Sequence, residues 1–220
     1  MCGRMILDAD AEQLAAQFGL EQPPALAARY NIAPSQLVAV VAPKADPSKR
    51  GLALLKWGLV PHWSRDGKPG PINARAETAA ALPTFRDSFK HKRCLIPVTG
   101  FYEWRKEGAK KVPVRFRLPS GGVMAFAGLW SVWTGPDQKN VFTCCVLTTT
   151  ANELVRPLHE RMPAILTPEE YAAWLDPDTP AKELHALLKT YPADLMTASD
   201  ANPLANSPKH EGPELLVPAA

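Results

Sequence analysis

Residues 94–148 decide the fold: CLIPVTGFYEWRKEGAKKVPVRFRLPSGGVMAFAGLWSVWTGPDQKNVFTCCVLT. Val112, Val114, Phe116 and Leu118 alternate with Lys111, Pro113, Arg115 and Arg117, the period of a strand with one wet face. The same stretch holds further strand patterns at 94–97, 101–105, 123–133 and 141–148. Turns are expected at Glu107-Gly108, at Pro119-Ser120-Gly121-Gly122 and at Gly135-Pro136-Asp137, where glycine and proline break the apolar runs. This is a meander of antiparallel strands.

Working outward, 8–18 reads as a helix with Asp8 as cap, Leu14 and Phe18 on one face and Gly19 as stop. A loop rich in proline and alanine precedes strand-like runs at 37–41 and 52–57. A polar loop then leads past Trp63 to Pro71, and a short helix is expected around 84–89. Thr167-Pro168-Glu169-Glu170 carries the cap, first-turn proline and third-position glutamate of a capping box. Thr179-Pro180 opens another helix through Leu188, and the last ~20 residues read as an extended tail on the body. With no repeat and no convincing linker, residues 1–220 are expected to form a single α+β domain. Its architecture is a mainly antiparallel twisted sheet or partly open barrel flanked by short helices.

Composition narrows the function. The chain has 25 basic and 22 acidic residues, a net charge of only +3, which excludes a polycation but allows a local basic groove. Proline, at 23 of 220 residues, runs about twice its usual share, which suits short elements and argues against a helical bundle. No run approaches the ~20 apolar residues of a membrane helix, and the start has no secretion pattern, so a cytoplasmic protein is expected. The four cysteines, Cys2, Cys94, Cys144 and Cys145, form no Cys-x-x-Cys pair. They are read as reduced thiols without a metal site.

Several residues can carry chemistry. If Met1 is removed, Cys2 presents an α-amine and a thiol on adjacent carbons. With an amine pKa of about 7.7, a fair share is neutral at physiological pH. Such a 1,2-aminothiol condenses with an aldehyde to an imine, which the sulfur closes to a thiazolidine. Alternatively the thiol is an acyl-transfer nucleophile with its own amine as base, and the plainest reading is an incidental small residue near the terminus. Glu103 stands between aromatics in a strand, where apolar neighbours raise a carboxyl pKa, or else it points to water. His159 sits at a turn beside Arg161, as a proton carrier or a structural hydrogen-bonding group. If extended, Asn73, Arg75 and Glu77 project from one face. Arg4 adds positive charge beside Cys2. Trp130, Trp133 and Trp174 are assigned to the core, whereas Trp63 and Trp104 are better placed as stacking platforms for bases or as lids.

Taken in order, Met1-Cys2-Gly3-Arg4, Trp57-Gly58-Leu59-Val60-Pro61, Asn73-Ala74-Arg75-Ala76-Glu77, Gly100-Phe101-Tyr102-Glu103-Trp104, Thr148-Thr149-Thr150-Ala151-Asn152 and His159-Glu160-Arg161-Met162-Pro163 form a series. It resembles the motif series of the SOS response-associated peptidase (SRAP) family, proteins that crosslink to abasic sites in single-stranded DNA. The Pro213-Glu214-Leu215-Leu216 tail also resembles the family's end, so the likeness covers essentially the whole chain. It implies that processed Cys2 forms a thiazolidine with C1′ of the ring-opened sugar, protecting the lesion during replication and the SOS response. It further implies catalytic roles for Cys2, Asn73, Glu103 and His159. Arg75 and Arg161, helped by Arg4, would hold phosphates, and Trp63, Trp104 and Thr149 would line the strand groove. No metal or cofactor is implied. The expected partner is abasic single-stranded DNA, bound by a monomeric cytoplasmic protein that joins the nucleoid on damage. Lyase-like activity and peptidase-like self-processing would accompany the crosslink. The alternatives are a cysteine peptidase or amidase acting mainly on its own terminus, and a non-covalent strand binder in which Cys2 is passive. Cys94, Cys144 and Cys145 match no family position, and His62 stands where the family often has a small residue or proline before tryptophan.

Overall fold

The computed structural model describes residues 2–218. Its strands are β1 (Met5–Leu7), β2 (Arg29–Ile32), β3 (Leu37–Pro43), β4 (Arg50–Trp57), β5 (Asn73–Arg75), β6 (Arg93–Val98), β7 (Gly100–Glu107), β8 (Lys110–Arg117), β9 (Met124–Thr134), β10 (Asn140–Thr150), β11 (Arg161–Pro163), β12 (Ile165–Leu166) and β13 (Thr197–Asp200). The helices are α1 (Ala11–Phe18), α2 (Ala76–Ala79), α3 (Arg86–His91), α4 (Tyr171–Leu175) and α5 (Ala181–Leu187).

Two sheets share one core. The first has the order β13-β8-β7-β1-β2, all antiparallel. The second runs β11-β10-β4-β3-β6-β9-β12, and β9 also pairs with β10. The path β10-β4-β3-β6-β9 therefore returns to β10 as a ring, which leaves those strands no free edge. Every residue of β6 is buried, because it lies between β3 and β9 inside that ring. Among the described strands two pairings are parallel, β4 and β5 each with β10, while β10 is antiparallel to β9 and β11, so the expectation of a mainly antiparallel sheet holds.

Several local expectations are corrected. The cap of α1 is Asp10, not Asp8: Asp10 is extended and its Oδ1 accepts the Gln13 N–H at 2.6 Å. Asp8 instead accepts from the Thr99 hydroxyl. Gly19 does end the helix, in the left-handed region at φ 65°. β1 and β2, of three and four residues, carry too little periodicity to be visible in the sequence. Glu77 is not extended with Asn73 and Arg75 but falls in the first turn of α2. The Thr167 capping box forms, although its first turn is a 3-10 turn leading into α4. Trp174 is fully buried, whereas Trp130 and Trp133 are only half-buried. The largest fully buried side chains include Trp57, whose Nε1 donates to the Ile72 carbonyl at 2.8 Å.

That bond, with Leu59 N–H donating to the Pro71 carbonyl at 3.0 Å, closes the neck of the 58–72 loop. Gly70 is required there, since a Cβ would stand 2.1 Å from the Leu59 carbonyl oxygen. Closing this neck delivers Asn73 onto β10.

Arg93 ties the helices to the barrel. It is 4% exposed, and its guanidinium donates to the carbonyls of Phe89, Lys90, Trp174 and Asp176. These are end carbonyls of α3 and α4, groups a helix cannot satisfy itself. Arg93→Met leaves them orphaned and buried, so a loss of about 3 kcal/mol is expected. Urea unfolding should show it, with Tm lower by roughly 6–12 °C. Unchanged stability would mean that water satisfies these carbonyls.

Candidate active site

The amino-terminal segment enters the molecule beside β7. Met5 pairs with Phe101 and Ile6 with Gly100, and the Arg4 carbonyl accepts the Tyr102 N–H at 3.1 Å. Cys2, with no exposed surface, belongs to the main core cluster. Its carbonyl accepts from Asn73 Nδ2 at 2.8 Å. Asn73 arrives from the other sheet, where it pairs with Val146 of β10. One hydrogen bond thus joins the start of the chain to the barrel. Asn73 Oδ1 is buried and accepts no hydrogen bond among the described residues, an anomaly in a polar group held out of water.

Alternation along β7 sorts its side chains. Phe101 and Glu103 face inward, Glu103 at 6% exposure. Tyr102 and Trp104 face outward, onto a second cluster built with Ala201, Ala205 and Leu215 of the C-terminal segment. Burial raises the Glu103 carboxyl above its ordinary pKa, and the His159 imidazole opposes the shift. Burial likewise raises the Cys2 thiol, and the Glu103 charge raises it further. The Glu103 carboxyl is thus felt by the thiol and itself feels the imidazole.

His159 follows a helical turn, with its N–H donating to the Val155 carbonyl at 3.1 Å. Its Nδ1 accepts the Arg161 N–H at 2.9 Å, which places the proton of the neutral ring on Nε2. Arg161 Nη1 and Nη2 grip the Glu77 carboxylate at 2.7 and 2.8 Å, and Nη2 also donates to the Thr148 carbonyl. Thr149 is nearly buried on β10. Arg75 is exposed at the end of β5, opposite Thr148. Trp63 stands 54% exposed in the loop before β5.

The sequence-expected residues therefore divide into two groups. Cys2, Asn73, Glu103 and His159 come together, with Arg161 and Thr149 on the adjoining strands. Arg4 and Trp104 occupy the opposite face of the first sheet from Glu103. Arg4 is 9% exposed. Its Nη1 donates to Asn31 Oδ1 at 2.6 Å and to the Ala205 carbonyl at 2.8 Å, and its guanidinium lies 5.4 Å from the Trp104 ring centre. Trp104 Nε1 donates to Asn206 Oδ1 at 2.7 Å. Arg4, expected beside Cys2, and Trp104, expected beside Glu103 in the strand groove, thus both face the C-terminal segment.

The residues that secure that segment were not found from sequence. Glu211 accepts the N–H groups of Tyr30 and Asn31 at 2.6 and 3.0 Å, and Asn31 Nδ2 donates to the carbonyls of Ser207 and His210. No local pattern announces pairs so far apart in the chain. Among the described residues, no group of three His, Cys, Asp or Glu is arranged to hold a metal.

A buried carboxyl with a raised pKa has a sign-definite effect on stability. Below the unfolded Glu value of about 4.3 both states are neutral and nothing is lost, whereas above it the folded state bears the cost of a desolvated charge. Glu103→Gln should therefore stabilise the protein at pH 7, and the gain should vanish below about pH 4. Denaturant titrations across pH check this. A variant less stable than wild type at pH 7 would contradict it.

The sequence profile of the family described as SOS response associated peptidase (SRAP) matches residues 1–208. An abasic site processing protein of Bacillus subtilis (strain 168), YoqW, is 42% identical over 98% of this chain and 99% of its own length. The abasic site processing protein HMCES of Gallus gallus is 30% identical, over 79% of this chain and 59% of its own. A crystal structure of a Bacteroides thetaiotaomicron protein superposes with a TM-score of 0.89 at 28% identity, covering 100% of both chains. The profile and the Bacillus subtilis relative each span nearly the whole chain, which belongs to the SOS response associated peptidase (SRAP) family.

Proposed function

We propose that the protein captures abasic sites in single-stranded DNA through a thiazolidine formed by Cys2 after removal of Met1. The observation that carries this is the shared niche of Cys2, Asn73, Glu103 and His159, in which the thiol is kept protonated. A cysteine peptidase needs a thiolate, and burial beside a carboxylate opposes one. An amine-first reaction has no such need. Two relatives are named as abasic site processing proteins, which supports the same substrate.

The steps follow from the groups present. Removing Met1 turns the Cys2 peptide nitrogen into an amine, and the orphaned Asn73 Oδ1 accepts one of its N–H groups. The closed abasic sugar is a hemiacetal. Glu103 takes the C1′ hydroxyl proton and delivers it to the ring oxygen, to which His159 Nε2–H donates a hydrogen bond; the bond from C1′ to the ring oxygen breaks, the aldehyde forms, and both side chains are left as they began. The amine adds to C1′ and one water leaves, giving the imine. Sγ then bonds to C1′ and its proton passes to the nitrogen through Glu103. The net change is loss of one water. A raised carboxyl pKa suits a group that both takes and returns protons near neutrality. The missing base lowers the cost of extruding the nucleotide. Arg75 and Arg161 hold the flanking phosphates, Trp63 and Thr149 line the groove, and Arg4 with Trp104 braces β7 from behind. Among the described residues no helix is long and apolar enough to cross a membrane. A monomer working in the cytoplasm, on nucleoid DNA after damage, fits the chemistry.

Incubation with abasic single-stranded DNA should give a heat-stable shifted band on a denaturing gel. Cys2→Ala or an acylated amine should abolish it, and a persistent band in Cys2→Ala would refute the assignment. Non-covalent binding should weaken with salt, and Arg75→Ala should make the log–log slope shallower by about 0.7.

A further inference from the structure

Arg161 enters this reading as a phosphate ligand, yet its guanidinium is already engaged. Both Nη groups donate to Glu77, and Nη2 also serves the Thr148 carbonyl. Nε is buried without a partner, beyond the reach of a strand outside. Among the described residues, that leaves one N–H of Nη1 as the uncommitted donor on the outward end of the guanidinium. A phosphodiester cannot take the two-pronged grip for which arginine is suited unless Glu77 lets go. Glu77 is free to move, because its side chain is 52% exposed while that of Arg161 is 15% exposed. Two cations act on it. The hydrogen bond from Arg161 holds its carboxyl below the usual range, and the Arg75 charge adds to this. Both arginines assigned to phosphates thus act on one carboxylate.

We infer that Glu77 is a built-in counter-anion of the strand groove, seated on Arg161 where a backbone phosphate docks and exchanged for it on binding. The inference rests on the DNA-binding reading above. Each incoming strand displaces a tethered carboxylate rather than a mobile ion, so intact DNA is held weakly. Selectivity then falls to the covalent step, which only a lesion permits.

The test uses the full chain and an intact single strand, so that no crosslink contributes, with affinity measured by fluorescence anisotropy across a salt series. Glu77→Gln should bind several-fold tighter at low salt, with a log–log slope steeper by about 0.7. The gain should disappear when Glu77→Gln is combined with Arg161→Gln. Equal or weaker binding by Glu77→Gln, while wild type still binds and crosslinks abasic DNA, overturns the inference and leaves the functional reading intact. A gain that persists without Arg161 reflects general charge removal and overturns it too. If wild type neither binds strands nor crosslinks, the functional reading falls and this inference with it.

Discussion

A carboxyl group kept out of water beside a thiol is the constraint around which the rest is arranged. Glu103 belongs on a wet face by composition, and holding its charge inside a protein costs free energy. The fold accepts this because β7 alternates: the same register that buries Phe101 against the core turns Glu103 inward, where its charge raises the Cys2 thiol. Cys2 is brought there by β1, which lies between β2 and β7, and is held by Asn73 from the barrel side. Neither sheet makes the niche alone.

Two buried arginines show how the surroundings are stiffened. Arg93 gathers end carbonyls from α3 and α4, and Arg4 gathers Asn31 and the Ala205 carbonyl. Each uses a fixed, planar set of donors to satisfy groups on separate segments, so each works as a strut. The second strut places the C-terminal segment behind β7, where Asn206 also anchors Trp104. The outer face of the first sheet is thereby filled, and its inner face is left for chemistry.

What the sequence disclosed depended on how local each signal was. The alternation at 112–118 and the capping box at Thr167 are complete within a few residues, and both form. Cys2, Asn73, Glu103 and His159 were legible as a set because their flanking motifs resemble one family in order, although their contacts are long-range. The closed ring was not legible, since β9 and β10 look alike whether or not β10 also meets β4. The cap expected at Asp8 falls instead at Asp10, while Asp8 is engaged by the Thr99 hydroxyl from across the fold, a contact no local pattern announces. The alternation that puts Trp104 opposite Glu103 could have been read in advance. Nothing near Arg161 foretold that Glu77 would hold it, because the pair forms only when α2 meets β11.

The central claim is that nitrogen and sulfur of one residue both bond to the lesion's C1′. Intact-mass analysis of the protein, before and after exposure to an abasic strand and then to borohydride, tests it most directly. The account predicts a chain lacking Met1, an adduct equal to protein plus strand less one water, and no change on borohydride treatment, because a thiazolidine has no C=N bond to reduce. An adduct on a chain that keeps Met1, or one that gains two hydrogens, would contradict it.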